Sequence, residues 1–202
     1  MRARPRLSSD DRREHILAAA TGMLATSGVT DISMERLARQ CGVSKALIYV
    51  HFPKFSAVLD GVVQREFESL EASGLALALS SAEPALAATT SAHIYFQRVS
   101  MQGSVLHMLL INPSATSQFS NTTRAMRNSL LRRMAARVRE GTGLSLHHSV
   151  TGAVLLTSIP ERAGRMVFEK QVDMEIGAQL CELLTTTTFH ALVPGGGEPG
   201  DP

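Results

Sequence analysis

The sequence predicts an all-α protein, and three observations carry that prediction. Apolar residues recur at the spacing of helices with one buried face along almost the whole chain. No strand-like alternation of useful length interrupts them, and no internal repeat is visible. Short breaks containing Gly, Pro and Ser cut the chain into helix-sized pieces. With 202 residues the chain can hold a small domain joined to a larger one, and its 44% hydrophobic content can fill a real core. Aromatic residues make up only 4% and Trp is absent, so Leu, Ala, Val and Met must supply that core.

Taken in order, the first helix is expected over residues 12–27, with Ile16, Leu17, Ala20 and Leu24 inward and Gly28 closing it. Residues 32–52, ISMERLARQCGVSKALIYVHF, then hold two short helices joined by a tight turn. Ser33 can cap the first of these, because its hydroxyl accepts a free backbone N–H of the opening turn. Leu37, Ala38 and Cys41 share a face, and Gly42 ends the helix in a left-handed conformation without a Cβ penalty. Val43 packs into the corner, and Ser44 caps a helix over 45–50 that turns Leu47, Ile48 and Phe52 inward. Lys45, Tyr49 and His51 stay outside. Two helices at a steep angle around a short Gly turn form a helix-turn-helix, whose second helix enters the DNA major groove.

A fourth helix over 54–72 links this module to the remainder; Gly74 weakens its end and residues 80–84 are a break. A helix over 85–101 is marked by Leu86, Ile94, Tyr95 and Val99. Gly103 interrupts it, and an apolar segment over 105–111 is stopped by Asn112-Pro113. A long basic helix over 117–140 places Met126, Leu130, Leu131, Met134 and Val138 inward and ends at the turn 141–143. The last two helices, over 146–170 and 173–192, are apolar on more than one face, and Pro160 should kink or split the first of them. In the final helix Ile176, Leu180, Leu183 and Thr187 mark one stripe, and Met174, Ala178, Cys181 and Thr185 another. A helix apolar nearly all round must be covered on both sides. A subunit interface through Val150, Val154, Met174, Ala178 and Cys181 is therefore expected. The Gly- and Pro-rich tail over 194–202 is expected to be disordered.

At these residues the chain resembles the tetracycline-repressor (TetR) family of bacterial transcriptional regulators. The family pattern is an aliphatic-Ala pair, then Gly-Val-Ser, then aliphatic-Tyr-x-His/Tyr-Phe. Here it reads Leu37-Ala38, Gly42-Val43-Ser44 and Ile48-Tyr49-Val50-His51-Phe52, and the likeness covers about residues 10–63. The resemblance implies a helix-turn-helix DNA-binding domain over 1–63 with a basic arm. It also implies a helical ligand-binding and dimerisation domain over 64–193. The implied partners are a double-stranded operator, a second copy of the chain and a small apolar effector.

Several DNA contacts follow from placing these residues on the motif. Lys45 can reach a base acceptor or a phosphate, and Tyr49 and His51 match family positions that donate to phosphates. Ser44 can both cap its helix and donate to phosphate. Ala46 offers an apolar contact, for instance to a thymine methyl. Ser33, Met34 and Arg36 begin the preceding helix, where the chain crosses the DNA backbone. One departure stands out: Phe55 and Ser56 occupy the positions where the family has a phosphate-binding Lys and an acidic residue. Lys54 stands one residue earlier, which rotates its side chain by about 100° on a helix. Ser56 remains usable as a cap.

Charge agrees with a DNA-binding end. Residues 1–63 carry nine Lys/Arg against six Asp/Glu, and residues 64–202 carry eleven against twelve. Arg2, Arg4 and Arg6 form a short basic arm suited to a groove or backbone contact, or simply a solvated tail. A Met and aromatic set in the central helices, including Tyr95, Phe96, Met101, Met108 and Met126, reads as core or as the lining of the implied effector pocket. Residues 85–134 contain Arg98, Arg124, Arg127, Arg132 and Arg133 but no Asp or Glu, which favours a neutral or anionic apolar ligand over a cation.

Enzymatic chemistry finds no support. The seven histidines are scattered without a metal-helix spacing, and there is no GxSxG elbow or phosphate-cradling Gly loop. No catalytic residue, metal or cofactor is expected. Cys41 and Cys181 give neither a disulfide framework nor a metal spacing. The charged start leads into no apolar segment, and no run reaches the roughly 18 apolar residues of a membrane span. A cytoplasmic protein without a membrane partner is expected. Two other readings use the same residues: a DNA-binding regulator with no ligand, and a helical protein-interaction adaptor with a vestigial helix-turn-helix.

Overall fold

A computed structural model describes residues 8–28, 32–111 and 113–193. The arginines of the basic arm and the tail over 194–202 lie outside the described residues. Helices account for all the regular structure among those described. In chain order they are α1 (Ser9–Ser27), α2 (Met34–Cys41), α3 (Lys45–His51), α4 (Phe55–Ala72), α5 (Leu75–Leu79), α6 (Pro84–Gln102), α7 (Val105–Ile111), α8 (Pro113–Thr116), α9 (Asn121–Thr142), α10 (Leu146–Phe168) and α11 (Met174–Ala191). They divide into two compact units, Met1–Glu66 with Val105–Thr123, and Phe67–Ser104 with Arg124–Pro202.

In the first unit α1 begins at Ser9 rather than at residue 12. Ser8 caps it by accepting the Asp11 N–H at 3.0 Å, and Asp10 and Asp11 sit in the first turn where the helix dipole favours negative charge. Ile16, Leu37, Ile48, Phe52, Leu59 and Leu109 form a fully buried core. Gly61 permits α4 to lie against α1, since a Cβ there would meet Leu17 Cδ2 at 2.8 Å. The Asp60 carboxylate accepts the Ser120 N–H at 3.0 Å and ties α4 to the segment that ends this unit. The sequence boundary at residue 63 does not anticipate that 105–123 folds here, because α7 buries Val105, Leu106 and Leu109 through contacts remote in the chain. Ser56 lies inside α4 and is buried, so it belongs to the helix body and not to a cap.

In the second unit α6, α10 and α11 pack on one another. Glycines set how close they come. A Cβ at Gly164 would stand 2.8 Å from Val99 Cβ and 2.9 Å from the Phe96 carbonyl oxygen. One at Gly177 would meet Val167 Cγ2 at 2.5 Å and the Phe96 ring at 3.2 Å. Ala92, Phe96 and Cys181 form one buried cluster, and Ala135, Val138, Ala153, Leu156 and Phe189 form another. The helix α9 starts at Asn121, not at 117, because the Ser120 hydroxyl accepts the Thr123 N–H at 3.2 Å and opens the helix there. α10 runs through Pro160 as one helix, so of the expected kink or split the split does not occur. Among the described residues no single helix is long and apolar enough to cross a membrane.

Candidate nucleic-acid interface

The helix-turn-helix is built from local signals that the structure places as the sequence implies. Ser33 caps α2 by accepting the Arg36 N–H at 3.2 Å. Gly42 adopts φ 65° and ψ 34°, a left-handed conformation that lets the Val43 N–H reach the Ala38 carbonyl at 3.0 Å. Ser44 then caps α3 by accepting the Leu47 N–H at 3.2 Å. Ile48 and Phe52 anchor α3 in the core. Arg13 of α1 steadies its far end: the guanidinium lies 4.5 Å from the centre of the Phe52 ring, and Nη1 donates to the His51 carbonyl at 3.4 Å.

This anchoring leaves a defined outer face. Ser44, Lys45, Ala46, Tyr49 and Val50 are exposed, and the His51 side chain is half-buried. Ser33 and Arg36 are exposed at the start of α2, and Lys54 is exposed just before α4. Met34 does not belong with them. It is 7% exposed and points into the core beside Leu37 and Ala38, as one helical turn dictates. Val50, which the sequence reading left without a role, is 76% exposed. Its signal was available: it sits two residues after buried Ile48, so it faces the opposite way on a helix. Phe55 is half-buried.

The other candidate residues separate more widely. Phe96 is fully buried against Cys181 and Ala92, while Tyr95 and Met126 are half-buried in the same unit. Met108 is half-buried in the first unit, near Gly28. Met101 is 73% exposed on α6 and lines no interior wall. For the expected interface, Val154 and Met174 are exposed, whereas Val150 and Ala178 pack partly against the core clusters. Cys181 is a correction. It is 1% exposed, because Gly177, Cys181 and Thr185 form the narrow stripe that lets α11 lie on α6. The outward apolar stripe of α11 is instead Ile176, Leu180 and Leu183, and α10 adds Leu155. Burial pushes the Cys181 thiol up to about 11 and also raises that of Cys41, so both are protonated at neutral pH.

Comparison with known proteins agrees with this geometry. Residues 16–59, from the middle of α1 into α4, match the family model described as bacterial regulatory proteins, tetR family. A nucleoid occlusion factor, SlmA of Shewanella pealeana, is 40% identical over 70 residues, which cover 35% of this chain and 34% of that protein. The chain thus matches about a third of the length of such curated relatives. A TetR-like transcriptional regulator from Rhodococcus sp. RHA1 is 19% identical and superposes with a TM-score of 0.67, covering 89% of this chain and 96% of that one. The transcriptional regulator FadR from Bacillus subtilis, solved with stearoyl-CoA, is 15% identical with a TM-score of 0.64, covering 90% and 98%. Residues 16–59 thus match the model of the bacterial regulatory tetR family, and the chain as a whole shares the fold of the TetR-like regulator from Rhodococcus sp. RHA1.

Proposed function

We propose that this chain is a cytoplasmic transcriptional regulator that binds a palindromic operator as a homodimer and releases it when a small apolar effector binds. The outer face of α3 carries the reading. Two serine caps, a left-handed Gly and a buried Ile–Phe anchor hold Lys45, Ala46 and Tyr49 where a major groove would receive them. Ser33, Arg36, Ser44, His51 and Lys54 supply donors to the phosphates beside it. Dimerisation would use the apolar side chains that α10 and α11 leave outside, setting two recognition helices about 34–36 Å apart.

The effector reading rests on composition and on a likeness. Residues 85–134 hold arginines and no carboxylate. A neighbour of the same fold was solved with stearoyl-CoA, an apolar chain on an anionic head. Release requires the effector to prefer the conformation that binds DNA poorly, since equal affinity for both shifts nothing. The likeness to a nucleoid occlusion factor supports a second reading, nucleoid-associated DNA binding, which requires no effector. A thermal-shift screen against apolar acids and acyl thioesters separates the two, because a ligand of the folded state raises the melting temperature.

The direct test is a gel shift on the DNA flanking the gene, with Lys45→Ala, Tyr49→Phe and His51→Ala. Each should weaken binding, Lys45→Ala by about 1–3 kcal/mol if it reads a base edge. Unchanged affinity in all three, with folding intact, rejects the interface.

A further inference from the structure

An exposed valine by itself says little, since much of any protein surface is apolar. Register makes Val50 informative. Ile48 is the fully buried residue of α3 and so fixes the inward direction. Successive helix residues are about 100° apart, so Ala46 and Val50, two positions either side of Ile48, each lie about 160° from it. They are the residues of α3 that point most directly away from the core. Both are exposed, Val50 at 76%. Tyr49 stands about 100° from Ile48, on the flank of the helix. The centre of the outer face is therefore apolar, and the hydrogen-bonding groups are at its margins.

That arrangement selects what the helix can read. Neither Val nor Ala can donate to or accept from a base edge. In the major groove the one apolar feature of a base pair is the C5-methyl of thymine. Given that α3 enters the groove as proposed above, we infer that Val50, with Ala46 one turn before it, is a specificity-determining residue that selects thymine by packing on its methyl group. The two side chains are about 6 Å apart along the helix axis, close to two base-pair steps of about 3.4 Å. The operator half-site should accordingly carry thymine at one position, or at two positions separated by two base-pair steps, that no hydrogen bond explains. Lys45 and Tyr49 then serve the acceptors and phosphates on the flank.

The test begins with selection of binding sites from random duplex DNA by the full-length chain. Each thymine of the enriched half-site is then replaced by uracil, which removes the methyl and leaves every hydrogen-bonding group in place. Affinities are measured for the wild type and for Val50→Ala, a change at an exposed helical site that favours the helix. At one or more positions uracil should weaken the wild type by about fourfold per half-site, the equivalent of one buried methylene. Val50→Ala should lose that discrimination there and keep it elsewhere. Identical responses of the two proteins at every position would overturn the assignment while leaving the DNA-binding reading intact. Enrichment of no sequence would overturn the DNA-binding reading, and this assignment with it.

Discussion

Replacing Gly164 by Ala adds one methyl where α10 crosses α6, and the surroundings determine its cost. The new Cβ would stand 2.8 Å from Val99 Cβ, 3.0 Å from Val99 Cγ1 and 2.9 Å from the Phe96 carbonyl oxygen. The nearest atoms belong to a backbone and to a branch point, so no rotamer change relieves the contact and the helices must move apart. An extra methylene in a packed core costs about 1–3 kcal/mol. Ala regains about 1 kcal/mol through its helix propensity. Because the clash is with rigid atoms the cost should lie toward the upper end, leaving a net loss of about 1–2 kcal/mol. For a chain of this size that lowers Tm by about 2–8 °C. Gly22→Ala is the matched control. It lies in α1, exposed, with nothing within 4 Å of the added Cβ, so the same chemical change should stabilise by about 0.5–1 kcal/mol. Thermal and urea unfolding at one fixed protein concentration compare the two without an oligomer-dependent shift. Equal stability of the two variants would refute the close-crossing argument.

Leu183→Asp changes an outward residue of α11, 61% exposed, and should convert dimers to monomers and abolish specific DNA binding while leaving the melting of each unit cooperative. Light scattering that finds the wild type monomeric at micromolar concentration would reject the interface. Lys54→Ala should flatten the dependence of log affinity on log salt by about one counterion per subunit, and an unaltered slope would show the charge misplaced. Phe55→Lys should lower the melting temperature, because it charges a half-buried position of α4, and a rise in DNA affinity without loss of stability would contradict that. The Cys181 thiol is raised above an ordinary thiol's 9.0 to about 11, chiefly by burial, with Thr185 opposing and Glu182 adding to the shift. The unfolded chain then loses this proton first, so the contribution to stability is full below pH 9 and falls as pH rises toward 11. Wild-type stability should drop more steeply than that of Cys181→Ala over that window, and parallel curves would refute it.

The helix-turn-helix was legible because its determinants are local. Ser33, Gly42 and Ser44 act within one turn of where they stand, and their roles in caps and turn do not depend on distant residues. The start of α1 was legible in principle too, since Ser8 followed by Asp10 and Asp11 is a cap with its dipole partners. α11 was not. Its sequence is apolar on several faces, and periodicity cannot choose among them. The choice is made by fit: Gly177 admits the Phe96 ring and Val167, which turns Cys181 inward and Leu183 outward. Met34 misled for a simpler reason, because its place next to the Ser33 cap suggested the surface while its face is that of Leu37 and Ala38. The same limit hides the placement of α7, whose apolar run is equally suited to either unit.

The first unit is discontinuous in the chain, since it closes only when Val105–Thr123 joins Met1–Glu66. During synthesis the ribosome therefore releases a complete helix-turn-helix sequence long before that unit can finish its core. At about 5–20 residues per second, the segment from 67 to 123 takes roughly 3–11 s to appear. Through that interval the nascent faces that will meet Leu109 and Phe119 have no native cover, although both side chains are buried in the finished fold. Completion of the first unit's core is thus deferred until more than half the chain has emerged. A fragment cut at residue 66 should reproduce that unfinished nascent state rather than an autonomous DNA-binding domain.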